Sequence, residues 1–337
     1  MCFLYPNPAK VQISNCPGSS QIFTLKFVGV VPVVIRSGAN RQYVFHGEGG
    51  MSLTPLDKNA IRQSFDRAAS GYDRHAVLER EIESRLLERV DFLRVEPSLV
   101  VDIGCGTGSA SRALGTRFEQ ANVIALDWSV AMLNQAGKLA GKKPWLVCSD
   151  MHSLPLAAGS VDLIFSNLAL QWSYDLPAVL REFRRIMKPE SMLVFSCYGP
   201  DTLYELKQAW RAIDALPHVH DFPDMHDIGD ELMSAGFREP VMDVERLRLE
   251  YPHVMALMRE LKGSGSHNVA TQRFRGLTGK SRLQAMQQAY EKFRHNDRYP
   301  ASYEVIYGAA FAPAGGQPVR FLDGDVATFS VAALQSR

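Results

Sequence analysis

Three glycines at alternate positions follow an acid at the end of an apolar run, Leu99-Val100-Val101-Asp102-Ile103-Gly104-Cys105-Gly106-Thr107-Gly108. Glycine tolerates positive φ and close backbone approach, so a buried strand that breaks here into a tight turn before a helix lets a ligand lie against the main chain. A dinucleotide fingerprint would put its third glycine where Ser109 stands, so a plain dinucleotide is the poorer fit. A second run, Asn122-Val123-Ile124-Ala125-Leu126, ends in Asp127, 23 residues after Gly104. A carboxylate at that spacing accepts from both hydroxyls of a ribose and repels a 2′-phosphate. A third run ends in Cys148-Ser149-Asp150-Met151, and a fourth ends at Asn167 with Gln171 and Trp172 close behind. Asn167 and Gln171 are candidate polar groups of a cleft floor. The alternative for the three acids is that they only cap the helices that follow.

The elements that must hold these residues alternate along the chain. Strand-like runs at 99–103, 122–127, 145–148, 161–167, 192–198, 241–251 and 301–311 are separated by helical stretches such as 109–118, 175–187 and 228–235. Such alternation predicts an α/β fold: a doubly wound, mostly parallel seven-stranded sheet of the Rossmann-like kind with right-handed crossovers. Residues 253–300 form a long excursion before the last strand and read as a helical lid. Helices over 58–70 and 75–93 precede the sheet, and Glu79 and Arg80 on the second read as a solvated face. The first fifty residues do not match the rest. Their run Phe27-Val28-Gly29-Val30-Val31-Pro32-Val33-Val34-Ile35 is too short to span a bilayer and is broken by proline. They are expected to be an extension, or translation upstream of a true start at Met51, ahead of one domain over 51–313 and a tail over 314–337.

Composition narrows the partners. With 46% hydrophobic residues and a net charge of +1, the 337-residue chain can bury a large core and has no global pull toward nucleic acid or anionic membrane. Its five cysteines lack metal spacing, which suits buried thiols in a reducing cytoplasm. The loop holding His218, His220 and His226 with Asp221, Asp224 and Asp227 has irregular spacing and reads as a helix start, not a metal site.

The D-x-G-x-G-x-G pattern resembles motif I of class I S-adenosylmethionine (SAM) dependent methyltransferases. The resemblance implies that the glycine backbone faces the methionine end of the cofactor, with Asp102 near its ammonium, and that Asp150 and Met151 read the adenine. The cofactor set is then Asp102, Gly104, Gly106, Gly108, Asp127, Trp128, Asp150, Met151 and Asn167. The phrase S-N-L-A-L-Q-W at 166–172 stands where N-methyltransferases carry N-P-P-Y, so amide or amine methylation is disfavoured.

Three further phrases resemble malonyl-carrier-protein methyltransferases: F-x-x-A-A-x-x-Y-D at 65–73, L-K-G-x-G-x-x-N at 261–268 and R-x-x-G-L-T-G-K at 273–280. That family resemblance spans 57–313. It implies O-methylation of the free carboxylate of malonyl-acyl-carrier protein or malonyl-CoA, the step that opens the pimeloyl part of biotin synthesis, with Tyr72 closing over the cofactor. A carboxylate with a pKa near 4 is already a nucleophile at neutral pH, so positioning is the catalyst and no base is required. The acceptor carboxylate needs a cation or hydroxyl in the lid, for which Arg259, Arg273, Arg275 and Arg282 are candidates; Tyr72 and Arg275 are taken as the catalytic pair. Residues 261–290 hold five cations and no acid, which suits a small acidic acyl carrier protein bearing malonyl-phosphopantetheine.

Two other enzymes share parts of this pattern. A quinone or phenol methyltransferase would need a general base, for which His152 or His267 is available. A SAM-binding respiratory-complex assembly factor that hydroxylates arginine shares S-N-L-x-L-Q-W and the phrase G-x-D-T-L-Y-E-L, here at 199–206.

Overall fold

A computed structural model describes residues 55–92, 95–139, 143–274 and 276–315, and the backbone alone of four strands outside them. Two of these, β1 (Val11–Asn15) and β2 (Phe23–Phe27), form a hairpin in the leading segment. The seven expected strands are β3 (Leu99–Ile103), β4 (Asn122–Asp127), β5 (Trp145–Cys148), β6 (Val161–Asn167), β7 (Met187–Tyr198), β8 (Arg238–Tyr251) and β9 (Tyr299–Phe311). Their order is β5-β4-β3-β6-β7-β9-β8, and β9 alone runs against its neighbours. The hairpin extends this sheet past β5 through one paired position, Phe23 with Val147, which the broken pattern of the first fifty residues gave no reason to expect. A separate hairpin, β10 (Pro318–Phe321) with β11 (Gly324–Ala327), follows.

Helices cover both faces because each central strand is apolar on both sides. Val100 belongs to the same buried core as Leu78, Ile82 and Leu86 of α3 (Val77–Asp91), while its neighbour Val101 belongs to the opposite core with Val179 and Phe183 of α6 (Leu176–Ile186). Each such side chain, fully buried, contributes about 1.5–3 kcal/mol of transfer free energy. The remaining helices are α1 (Lys58–Ala68), α2 (Tyr72–His75), α4 (Ser109–Arg117), α5 (Val130–Ala136), α7 (Tyr204–Arg211), α8 (Met225–Ser234), α9 (Val254–Gly263) and α10 (Lys280–Tyr290). Side chains start several of them: Asp57, Ser129 and Asp175 accept from the backbone of Ala60, Met132 and Ala178 at 3.1, 3.1 and 3.0 Å.

Within 253–300, α9 and α10 flank an irregular run over 264–274 and 276–279, and the stretch is laced to the leading helices. Asp57 N donates to Val269 O at 2.8 Å, Thr271 N to Pro55 O at 2.8 Å, and Ser64 Oγ to Gly265 O at 2.7 Å. Asn268 Nδ2 donates to Pro217 O at 2.6 Å. Phe65 and Ala68 also lie 3.0 and 3.3 Å from a Cβ built on Gly265, so two of the phrases shared with the carrier-protein enzymes meet each other in space, and Phe65, Ser264 and Ser266 line the cleft at the carboxyl ends of the central strands.

Two residues of the G-x-D-T-L-Y-E-L phrase, Thr202 and Glu205, fasten a helix to the sheet. Thr202 Oγ1 donates to Glu304 O at 3.0 Å, and Glu205 accepts from Ser302 N and Oγ at 2.9 and 2.6 Å, which ties the start of α7 to β9. Among the described residues no helix is long and apolar enough to cross a membrane, and Cys105 and Cys197 are buried thiols.

Candidate active site

Strand order reverses at β3, between β4 and β6, and a cleft of about 870 Å³, open solvent included, lies outside the carboxyl ends of these strands. This is the usual ligand position in an open α/β sheet. Its walls include Tyr72, Gly104, Gly106, Asp127, Trp128, Asp150, Met151 and Asn167, eight of the residues singled out from the sequence.

The glycine turn is held in place by the next strand. Gly104 N and Cys105 N donate to Leu126 O at 2.8 and 3.0 Å, and Gly106 N donates to Asp127 Oδ2 at 2.9 Å. The other oxygen of Asp127 accepts from Ser129 N at 2.7 Å. Ser129, not Asp127, caps α5 with its side chain, so the capping alternative does not account for this acid. Gly104 sits at φ +75°, and a Cβ there would lie 2.4 Å from Ala169 Cβ.

Two expected cofactor residues do not line this cleft. Asp102 is 1% exposed and accepts from Ser111 Oγ at 2.5 Å. It borders a smaller recess with Tyr72, Glu79, Arg80, Glu83 and the first two glycines, adjoining the main cleft. Gly108, at φ +81°, opens α4 where a Cβ would meet Ala136 Cβ at 2.9 Å, so it serves helix packing.

Asp150 lies in a dense polar cluster. It contacts His152 Nδ1 at 2.6 Å, Lys58 Nζ at 3.1 Å and Tyr174 OH at 3.3 Å. Burial alone would raise its carboxyl, but the bonds from His152 and Lys58 hold it below the usual carboxylate range. His152 is further stacked on Tyr174, with centroids 3.6 Å apart, and its Nε2 lies 3.1 Å from Ser173 Oγ. Asn167 spends its amide on scaffolding: Nδ2 donates to Glu79 O at 3.2 Å and Oδ1 accepts from Ser196 Oγ at 2.7 Å.

The expectation for Glu79 is corrected: it is not on a solvated face. The first turn of α3 carries it into the cleft under the lid, where it lines the main cleft, the smaller recess and a second cavity. The amphipathic stripe of α3 marks Leu78 and Ile82 as core, but it cannot show that the lid replaces water beside Glu79.

That second cavity, about 1,530 Å³ with open solvent, shares Glu79, Trp172, Tyr198, Ser264 and Ser266 with the first. Leu206, Trp210, Phe222 and Met258 give it apolar walls, and Arg259, Lys262, His220 and His267 supply polar groups. The arginine candidates now separate. Arg273 forms an ion pair with Asp57 at 3.3 Å and donates to Ala270 O at 2.8 Å. Arg282 pairs with Asp214 and lies 4.6 Å over the Phe274 ring. Arg275 lies outside the described residues. Arg259 lines the cavity and bonds only to Met255 O and His253 Nε2, at 3.1 and 3.3 Å, among the described residues. Two of the five cations of 261–290 are thus offset by acids from elsewhere in the chain.

The histidines of the 217–227 loop diverge. His218 stacks on Trp210 and meets Asp214 at 3.0 Å, and His226 meets Asp224 at 2.8 Å. His220 is buried beside Trp172 and Phe222, where burial pushes it down to about 4 and keeps it neutral. Among the described residues no three His, Cys, Asp or Glu converge as a metal site would require.

Burial pushes the carboxyls of Asp102 and Glu79 up to about 7 and that of Asp127 up to about 6. In the unfolded chain these groups titrate near 4, so between about pH 4 and 7 the folded domain holds protons that the unfolded one has lost, and its stability falls as pH rises. A cationic cofactor favours the ionised carboxylates. Its binding is expected to release protons at pH 7, and its stabilising effect is expected to grow from about pH 6 to 8. Calorimetry in buffers of different ionisation enthalpy checks this; proton uptake on binding would contradict it.

The family model described as "Methyltransferase domain" matches residues 101–195. A malonyl-[acyl-carrier protein] O-methyltransferase of Methylovorus sp. (strain MP688) is 47% identical over 281 residues, covering 79% of this chain and 95% of that protein. The protein of the same name from Laribacter hongkongensis is 47% identical over 277 residues, covering 79% and 93%. Among solved structures, the [4+2]-cyclase SpnF aligns with a TM-score of 0.52 at 18% identity over 78% of this chain and all of that one. The YcgJ protein of Bacillus subtilis aligns with a TM-score of 0.50 at 16% identity, covering 68% and 98%. These structural likenesses speak to the fold alone.

Proposed function

The chain belongs to the malonyl-[acyl-carrier protein] O-methyltransferase family, and from that premise we propose that its two joined cavities bring the free carboxylate of a malonyl thioester against SAM. The observation that carries this reading is the shared wall of Glu79, Trp172, Tyr198, Ser264 and Ser266, through which a cation-bearing cavity opens onto the cofactor cleft. The residues present fit the cofactor: Gly104 leaves no room for a side chain beside Ala169, and Asp127 presents lone pairs beyond the two taken by main-chain N–H groups. Gln171 Oε1 is buried there without a partner. Bound SAM supplies an electrophilic methyl group on a sulfonium.

The chain's part is to bind and orient. Asp127 takes the ribose, Trp128 and Met151 flank the adenine, and the backbone at Gly104 and Gly106 lies along the methionine end. Tyr72 stands within 4.0 Å of a Cβ built on Gly106, and burial pushes its hydroxyl well above the usual range, so it stays neutral and acts as a donor. Of the arginine candidates among the described residues, Arg259 lines the acceptor cavity and is taken as the anchor of the malonyl carboxylate; Arg275 lies outside the described residues. No base is needed, since the acceptor is ionised at neutral pH. Methyl transfer to malonyl-carrier protein and none to acetyl-carrier protein, which lacks the free carboxyl, is the expected outcome with labelled SAM; equal labelling of both would overturn the reading. Arg259→Gln is expected to raise KM for the malonyl substrate about tenfold, the loss of one charge-assisted bond, with SAM affinity unchanged. An unaltered KM would return the anchor to another cation.

Within the reading, the domain spans 51–313, works in the cytoplasm and serves the first methylation of biotin's pimeloyl chain. The acidic carrier docks on the lid, where Lys262 and Lys280 remain unneutralised by any acid among the described residues and Leu277 is 98% exposed. Steering by charge is screened within a few ångströms at about 0.5 M salt. Raising salt to that level should therefore raise KM for the carrier several-fold and leave that for malonyl-pantetheine nearly flat. Equal shifts for both would remove the lid from carrier recognition.

A further inference from the structure

A polar recess shares Trp210, His218 and Val219 with the acceptor cavity and no residue with the cofactor cleft. The three spaces therefore lie in series: cofactor cleft, acceptor cavity, recess. The recess holds two cations one helical turn apart on α7, Lys207 and Arg211. Lys207 is fixed, donating to Pro200 O at 3.0 Å and lying 5.2 Å over the Phe222 ring that walls the acceptor cavity. Arg211 is exposed and makes no hydrogen bond or ion pair among the described residues. One carboxylate, Asp221, lines the recess with them and offsets one of the two charges. Burial and the charge of Arg211 both press the Lys207 ammonium down from its ordinary value, while Asp221 opposes them.

We infer that this recess is an anion site for the 4′-phosphate of a pantetheine arm, so that an acceptor is held at both ends: carboxylate at the cofactor, phosphate on Arg211 and Lys207. The inference rests on the malonyl thioester reading and adds a site to it. The serial arrangement suits such a molecule: a charged head, a long uncharged thioester arm along apolar walls, and a second anion where the cavity reaches solvent. A guanidinium with no internal partner offers a phosphate its planar pair of donors. The same phosphate is present on a carrier protein's prosthetic arm and on coenzyme A.

The test compares malonyl-phosphopantetheine with malonyl-pantetheine, which differ by the phosphate alone, and follows malonyl-CoA in parallel. The unaltered protein is expected to favour the phosphorylated substrate about tenfold in kcat/KM, the effect of one charge-assisted contact at a partly exposed site. Arg211→Gln is expected to bring the two substrates to parity and to lower malonyl-CoA in the same proportion, while Arg211→Lys keeps part of the preference. Phosphopantetheine, but not pantetheine, should compete with malonyl-CoA. Arg259→Gln supplies the contrast, since it should lower both small substrates equally. Equal kcat/KM for the two in the unaltered protein, or a preference that survives both Arg211→Gln and Lys207→Gln, would overturn the phosphate site and leave the malonyl reading standing. Methylation of neither would overturn the malonyl reading and the site with it.

Discussion

Gly104→Ala is expected to cost the domain about 2–5 kcal/mol and to abolish cofactor binding. The backbone at Gly104 has φ +75°, where an L side chain costs roughly 1–2 kcal/mol, and the new methyl would sit 2.4 Å from Ala169 Cβ. Neither partner is the end of a flexible chain, so the turn and the Asn167-to-Trp172 segment must separate, at about 1–3 kcal/mol for the overpacking. In a domain of roughly this size the melting temperature should fall by about 5–15 °C. The displaced turn would also pull Gly106 N away from Asp127. Gly159→Ala is the control: it has φ +61° and open space around it, so it carries only the conformational cost. A Gly104→Ala protein that melted like Gly159→Ala and bound SAM normally would show that the turn does not need this close approach.

Asp127→Ala carries the second large effect. Losing a charged acceptor to the ribose hydroxyls costs about 1–3 kcal/mol, or roughly 5- to 150-fold in Kd for SAM. Gly106 N and Ser129 N lose their acceptor as well, so the melting temperature of the cofactor-free protein should fall too. Asp127→Asn keeps one acceptor oxygen and should fall between. Calorimetric titration with SAM measures all three; undiminished affinity in Asp127→Ala would sink the ribose assignment.

Sequence pattern revealed the sheet and several residues that line the main cleft because both are written in local signals. The runs at 122–127 and 161–167 coincide with β4 and β6, each ending in the polar residue that lines the cleft. Asp102 shares the pattern of Asp127, an acid at a strand end, yet faces Ser111 beneath the first turn of α4. Spacing along a strand does not say which side of the glycine turn an acid reaches. The acceptor side depended on contacts far apart in the chain. Arg273 and Arg282 looked free because their partners, Asp57 and Asp214, lie 216 and 68 residues away. Glu79 looked solvated because its cover, Ser264 and Glu260, belongs to the lid. The hairpin of β1 and β2 had no visible signal, since one paired position with β5 needs no long alternating run.

The central claim is that the carboxylate, and nothing else on the acceptor, receives the methyl group. Incubating the protein with methyl-labelled SAM and malonyl-acyl-carrier protein, then treating the labelled product with mild base, tests it directly. Stoichiometric label on the carrier that mild base releases as methanol is expected, together with one equivalent of S-adenosylhomocysteine. Label that survives base, or homocysteine nucleoside formed with no label on the malonyl group, would contradict it.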